Sequence, residues 1–431
     1  MRIGSKIKKL RLERNLSQSD LAGEVFSRNY ISQIEREVIQ PSKKAIKHIA
    51  SKLNVPEYML VDENSNIDDE MIEKIHNAFL SARRVYMSGD YKKCIEMMPI
   101  IIKNGTLLNS IDFLQVKVWY VDSYSQILDW DNALKYTQEF LNEDKVYSRS
   151  ELKLILELKR VEGTVYYNKG MFEKALHSHL AIEEEIEDKE LDIDIAFRID
   201  NLSIIQVLYE FIGAGEEVKE YYKKVMEHSK KHKIITQGLL RSISRYYRDY
   251  ADLNLEEIKV FYNSVIYTAK LVEDWVRVAI VYSCLIEICF RDNELALVDQ
   301  YLKSLNETIP RLEGNYYPGF YIAYHHLYRG KYHVKLSEYD EAKIHFNKAV
   351  EFLEENKRVT TIKLKIDSLL EIASLYMKLE EYSSSLLYLD MAEAVSLEYS
   401  LYTKLKNIDD LKTKAYSQLK TKVNKTESIL D

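Results

Sequence analysis

LSQSDLAGEVFSRNYISQIE, residues 16 to 35, divides into two short helices joined by a tight turn. Ser17 is placed to cap the first, with Asp20 at the third helical position to complete a capping box, and Leu21, Ala22 and Val25 form its apolar stripe. Ser27 is placed to cap the second. There Ile31 and Ile34 fall on one face, while Arg28, Asn29, Ser32 and Gln33 fall on the other. A pair of helices whose second member keeps its hydrogen-bonding side chains outward is a helix-turn-helix, suited to the major groove of DNA.

The flanking residues supply the rest of a small five-helix core. Ile7, Leu10 and Leu16 precede the motif, Ile46, Ile49, Ala50 and Leu53 follow it, and Pro56 opens a last short helix ending near Leu60. Residues 1–60 hold twelve Lys or Arg against six acids, a balance of +6; the whole chain is −7, so the remainder carries −13. The basic charge therefore sits on the segment with the groove-reading helix, as a phosphate-binding surface requires.

Base contacts are expected from Gln18, Arg28, Asn29, Ser32 and Gln33, since arginine pairs with guanine and asparagine or glutamine with adenine. Lys6, Lys9, Tyr30 and Lys43 are expected on phosphates, where they position without reading sequence. LSQSDLA, YISQIE and the following Pro41-Ser42 resemble the lambda-repressor-like domains of bacterial regulators. That resemblance implies a structural pair between Arg11 and Glu35. Leu21 to Ile31 spans ten residues, a turn one shorter than in phage repressors and similar to that of peptide-regulated quorum-sensing regulators. Glu37 stands where such domains usually place a glycine to end the recognition helix.

Beyond the acidic stretch VDENSNIDDE, residues 61–70, the pattern changes to paired amphipathic helices. Gly163, Tyr166, Phe172 and Ala175 share their offsets with Gly330, His333, Tyr339 and Ala342, with Ala373, Tyr376, Tyr382 and Ser385, and with Ala82, Val85, Tyr91 and Cys94. Small residues at the crossing and an aromatic one turn on are the tetratricopeptide pattern. Turns are expected near Gly89, Asp129, Gly170, Gly213, Asn254, Asn293, Ser337 and Glu380, 39 to 44 residues apart. Ordinary units repeat at about 34 residues, so each helix here gains about a turn. The expected fold is all-α: a helix-turn-helix domain at 1–62, a linker or start of a linker helix at 63–72, a right-handed superhelical tetratricopeptide-like solenoid at 73–400, and a capping helix or tail at 401–431.

With 12 Gly and 5 Pro in 431 residues, little interrupts the helices. No apolar run approaches the about 18 residues of a membrane span, and no signal-peptide core follows MRIGSKIKKLR; a cytoplasmic protein is expected. Cys94, Cys284 and Cys289 have no metal-ligand spacing and read as buried thiols. No P-loop, dinucleotide loop, HExxH or GxSxG occurs, so no enzyme and no cofactor is expected. Successive positions of His325-His326 face different directions on a helix, which argues against a metal site.

The concave side of such a solenoid is built from the first helix of each pair. Asn201 in RIDNLSIIQVLY either holds a peptide backbone, since its amide donates and accepts at once, or serves the structure. Gln237, Arg241 and Arg245 lie on one side of the next first helix, where the arginines either hold a ligand carboxylate or pair with neighbouring acids. Arg198 and Arg277 extend the same strip. Tyr324 and Tyr328 either wedge between helices or line the groove.

The whole domain order resembles the peptide-sensing quorum-sensing regulators of Gram-positive bacteria (PlcR/NprR/PrgX-like). It implies a short signalling peptide in the repeats, a homodimer, and an inverted-repeat operator in double-stranded DNA; Asn201 is similar to that family's peptide-holding asparagines. The alternative is a repeat-domain protein that inhibits or dephosphorylates a response regulator.

Overall fold

The computed structural model describes residues 2–60, 69–142, 147–250, 254–313, 317–353, 358–399 and 401–430. Among them every regular element is helical. Much of the expected linker, 63–68, lies outside the described residues. Contacts divide the chain into two compact units, 1–165 and 166–431.

The first unit opens with α1 (Ile3–Glu13), α2 (Gln18–Ala22), α3 (Arg28–Glu35) and α4 (Lys43–Leu53), then a 3-10 turn at Glu57–Leu60. Ile7, Leu21, Ile31, Ile34, Ala45, Ile49, Leu53 and Leu60 are fully buried and form its core. The caps are the expected ones. Ser17 Oγ accepts from Asp20 N, Ser17 N donates to the Asp20 carboxylate, and Ser27 Oγ accepts from Tyr30 N. Val25 departs from the expectation: α2 ends at Ala22, so Val25 lies in the turn and is 37% exposed.

Helical hairpins follow. Unit 1 continues with α5 (Asp69–Met87), α6 (Tyr91–Lys103), α7 (Ser110–Gln126), α8 (Trp130–Leu141) and most of α9 (Arg149–Asn168). Unit 2 holds α10 (Phe172–Asp188), α11 (Ile195–Ile212), α12 (Gly215–His232), α13 (Gln237–Tyr250), α14 (Leu255–Leu271), α15 (Trp275–Arg291) and α16 (Leu295–Thr308). It ends with α17 (Tyr317–Lys335), α18 (Tyr339–Glu351), α19 (Val359–Lys378), α20 (Tyr382–Glu398) and α21 (Tyr402–Leu430). The turns fall where the sequence places them. Gly89, Leu128, Gly170, Gly213, Asn293, Ser337 and Glu380 all have positive φ and reverse the chain between helices.

The small residues of the repeat are the crossing points. Ala82, Cys94, Ala175, Ala342, Ala373 and Ser385 are each fully buried. A Cβ on Gly330 would come within 2.5 Å of the Phe346 ring, so that backbone packs directly against an aromatic edge. Tyrosines fill the wider gaps: Tyr222 and Tyr246 stack with centroids 3.8 Å apart, and Tyr262 is fully buried with its hydroxyl donating to Leu240 O. Burial raises the thiols of Cys284 and Cys289 to about 12.

Two features extend beyond simple hairpin stacking. In unit 1 the helix-turn-helix packs on the first repeats: Ser51 on α4 donates to Glu151 and receives a bond from Ser110. In unit 2 the last repeats return to the first. Lys363 on α19 donates to Glu210 on α11 at 3.0 Å and lies over the Phe211 ring, and Val359 N donates to Asn168 Oδ1. Asn168 sits beside a hairpin turn, yet its amide serves this long-range closure. The helices α11, α13, α15, α17 and α19 thus make a closed circuit within unit 2.

Candidate nucleic-acid interface and repeat strip

Recognition helix α3 is anchored from behind. Its inward carboxylate, Glu35, receives Arg11 Nε at 2.6 Å and Nη2 at 3.0 Å, and Gln18 Nε2 at 2.8 Å. Burial alone would raise the Glu35 carboxyl, but the hydrogen bonds from Arg11 and Gln18 outweigh it and hold it below the usual range. Arg11 Nη1 also donates to Leu16 O, which ties α1 to the start of the motif. The fork of one guanidinium therefore fixes the separation of α1, α2 and α3.

Arg28 and Asn29 are exposed at the N-terminus of α3, and Ser32 and Gln33 are half-buried one turn on. Gln18, also expected on a base, spends its amide on Glu35. Tyr30 stacks on Phe26, with centroids 5.0 Å apart. On α1 Lys6 is half-buried and Lys9 exposed, 3.9 Å from Glu13, and Lys43 is exposed at the start of α4.

The exit from α3 departs from the glycine pattern without losing its geometry. Glu37 adopts φ +61°, a left-handed conformation unfavourable for a side chain. Its carboxylate is held by Ser5 at 2.8 Å and Arg2 at 3.0 Å, and those bonds draw it below the usual carboxylate range. Gly4 completes the same joint: a Cβ there would lie 2.2 Å from Ile34 O, so α1 passes directly over the last carbonyls of α3.

The expected peptide strip separates into two groups. Asn201 is fully buried in the seam between α10 and α11, where its amide nitrogen donates to His179 O and Glu183 and its oxygen lies 2.6 Å from His179 Nδ1. Arg198 joins the same network through Glu183 at 2.9 Å and Glu187 at 2.6 Å. Burial raises the Glu183 carboxyl despite these partners. Both side chains are committed to neighbouring helices in this structure.

A second group remains around α13, α15 and α17. Gln237, Arg241 and Arg245 are half-buried on α13, and Arg245 lies 3.9 Å from Glu210. Tyr324 stacks on Tyr328 at 4.6 Å and donates to Ser283 O and Glu287. Ser244 reaches the other Glu287 oxygen at 2.9 Å. Burial and the nearby Glu287 carboxylate push the Tyr324 hydroxyl far up, so it stays a donor. Arg277, at the start of α15, is held by Asp274 at 3.3 Å.

Sequence reasoning missed Glu287, Glu210 and Lys363. Glu287 had a signal, as the one acid within the apolar run VAIVYSCLIEICF. Glu210 and Lys363 had none, because 153 positions separate them. Among the described residues, no His, Cys, Asp and Glu group has the geometry of a metal site, and no helix is long and apolar enough to cross a membrane.

Residues 7–60 match the family model described as a helix-turn-helix. The chain is 35% identical over 74 residues to the immunity repressor protein of Bacillus phage phi105; the match covers 17% of this chain and 51%, about half, of that relative. Among solved structures it is similar to Bacillus thuringiensis PlcR in complex with the peptide PapR7 and DNA, at 17% identity and a TM-score of 0.39, covering 63% of this chain and 95% of that one. It is also similar to NprR in complex with its cognate peptide NprX, at 14% identity and a TM-score of 0.46, covering 78% of this chain and 99% of that one. Residues 7–60 thus form a helix-turn-helix domain.

Proposed function

We propose that this chain is a transcriptional regulator in which residues 1–62 read double-stranded DNA and residues 73–400 hold a short signalling peptide that controls the reading. One observation carries it: α3 exposes Arg28 and Asn29 at its tip while Glu35, Arg11 and Gln18 lock its other end to the domain core. A rigid helix with free bidentate donors at its leading end is what major-groove readout needs. Arg28, Asn29, Ser32 and Gln33 read bases; Lys6, Lys9, Tyr30 and Lys43 hold phosphates. Gln18 orients Glu35 and reaches a base only by leaving it. A homodimer would present two such helices to an inverted repeat.

The peptide reading is supported by the half-buried Gln237, Arg241 and Arg245 on α13, with Arg245 near Glu210, and by the stacked Tyr324 and Tyr328 on α17. A peptide carboxylate would compete with Glu210 for Arg245, whose present separation of 3.9 Å is loose for an ion pair. Asn201, Arg198 and Arg277 would shape the strip through their helices.

In a gel-shift titration, the Arg28→Ala/Gln33→Ala double variant is expected to lose preference for the operator while keeping its fold and much of its salt-dependent nonspecific binding. Unchanged operator affinity would overturn the DNA reading. Mass spectrometry of protein purified from its native host tests the peptide: recovery of a short peptide lost in Arg241→Ala/Arg245→Ala supports it, and retention in that variant overturns the site.

A further inference from the structure

Glu287 lies inside the apolar run VAIVYSCLIEICF of α15 and is half-buried. Its two carboxylate oxygens are taken by the helices on either side. Ser244 of α13 donates to one at 2.9 Å, and Tyr324 of α17 donates to the other at 3.1 Å. Both donors are neutral hydroxyls, and among the described residues no Lys, Arg or His forms an ion pair with this carboxylate.

Two other acids of the first helices have cations. Glu210 on α11 takes Lys363 at 3.0 Å and lies 3.9 Å from Arg245, and Glu371 on α19 takes Lys331 at 3.0 Å. A carboxylate drawn partly out of water loses hydration that two hydroxyls replace only in part, and a cation recovers the remainder. Each oxygen of Glu287 accepts one hydrogen bond and has a second acceptor direction left.

The surroundings add a further preference for positive charge. Tyr324 and Tyr328 stack on α17 with centroids 4.6 Å apart, and Phe290, one turn beyond Glu287 on α15, meets Tyr328 edge-on at 6.0 Å. Lys331 already uses this wall. Its Nζ lies 5.1 Å from the Tyr328 centroid and 5.3 Å from that of Phe290 while it pairs with Glu371. An ammonium against aromatic faces and a carboxylate is therefore a combination that these helices build for themselves. Glu287 and Tyr324 present the same two partners without a cation of the chain.

Arg241 lies one turn before Ser244 on the same side of α13. Its guanidinium and the Glu287 carboxylate act with opposite sign on the Cys284 thiol, so both charges stand near that residue. The strip thus offers both signs to one ligand.

We propose that Glu287 receives a cationic group, an ammonium or a guanidinium, of the ligand held by the repeats. This rests on the peptide reading above and narrows it to a peptide that carries a positive charge as well as its carboxylate.

The test uses short synthetic peptides of random sequence, one set with free N-termini and one N-acetylated. Each set is passed over the immobilised full chain, and the retained peptides are sequenced by mass spectrometry. The wild type is expected to favour Lys- and Arg-containing peptides in the acetylated set, or the free set over the acetylated one, by about tenfold. The first result assigns the cation to a side chain and the second to the terminal amine. Because the chain's net charge of −7 attracts basic peptides in general, the decisive reading is the comparison with Glu287→Gln. Glutamine still accepts from Tyr324 or Ser244, so the fold, checked by circular dichroism, is expected to persist while the preference vanishes. Glu287→Asp, which keeps the charge, is expected to retain it. No preference in the wild type, or an equal preference in Glu287→Gln, overturns the site. Retention without charge preference removes the role of Glu287 and leaves the peptide reading, whereas retention of no peptide removes both.

Discussion

Arg11 and Glu35 show how one pair of side chains positions a recognition helix. Both are buried, at 8% and 6% exposure, and each satisfies the other. Removing one leaves the other charge in the core without its partner, a defect costing about 3–5 kcal/mol. Arg11→Ala is therefore expected to lower the urea midpoint of the N-terminal unit and to weaken operator binding as its folded population falls. Because the Glu35 carboxyl is held below its unfolded value, its contribution is complete above about pH 4.3 and is lost as pH falls through the folded value. Glu37 tests the opposite balance. Its left-handed backbone is strained for a side chain, which glycine would relieve, while its carboxylate is tied to Arg2 and Ser5. Glu37→Gly is expected to leave the urea midpoint close to that of the wild type, the acid being tolerated there because its partners offset its strain.

At the scale of elements, the repeat depends on backbone approach more than on total apolarity. Gly330 on α17 faces the Phe346 ring on α18, and Phe346 is fully buried. Neither helix can yield without disturbing the rows on both sides of the hairpin. Gly330→Ala is expected to destabilise unit 2 by about 1–3 kcal/mol through overpacking, measured as a lower thermal midpoint, although alanine is the better helix former. The small-residue offsets make this hairpin legible in the sequence, since a crossing point tolerates few residue types. Leu128 illustrates where such reading stops: the turn is expected near Asp129, and the left-handed residue is the leucine before it.

Across the whole molecule, buried histidines make stability depend on pH. His325, His326 and His345 are pressed down to about 3, 4 and 4 by burial, reinforced by neighbouring histidines and by Arg329 and Lys348. His326 Nδ1 and His345 Nδ1 are 2.9 Å apart, a bond that needs one proton and fails with two. His333 stacks on His345 and holds Glu338, and Phe352 stacks on His326. The unfolded chain binds these protons near pH 6.5 and the folded chain does not. Stability is therefore full above about pH 6.5 and falls as pH drops toward 4. Thermal midpoints measured between pH 7 and 5 are expected to decline, and His345→Gln is expected to reduce the slope.

The sequence by itself determined the helix-turn-helix, its caps, the repeat and nearly all of its turns, because each depends on neighbours within a few residues: a hydroxyl three positions from an amide, or a small residue at a helical offset. The tertiary structure alone decided which polar side chains remain available. Asn201 and Arg198 look like ligand contacts on their own helix, yet buried polar groups must find partners, and α10 supplies them. The closure of α19 on α11 through Lys363 and Glu210 joins residues 153 positions apart, a contact no local pattern encodes. Local chemistry wrote the elements, and the meeting of distant surfaces assigned their free faces.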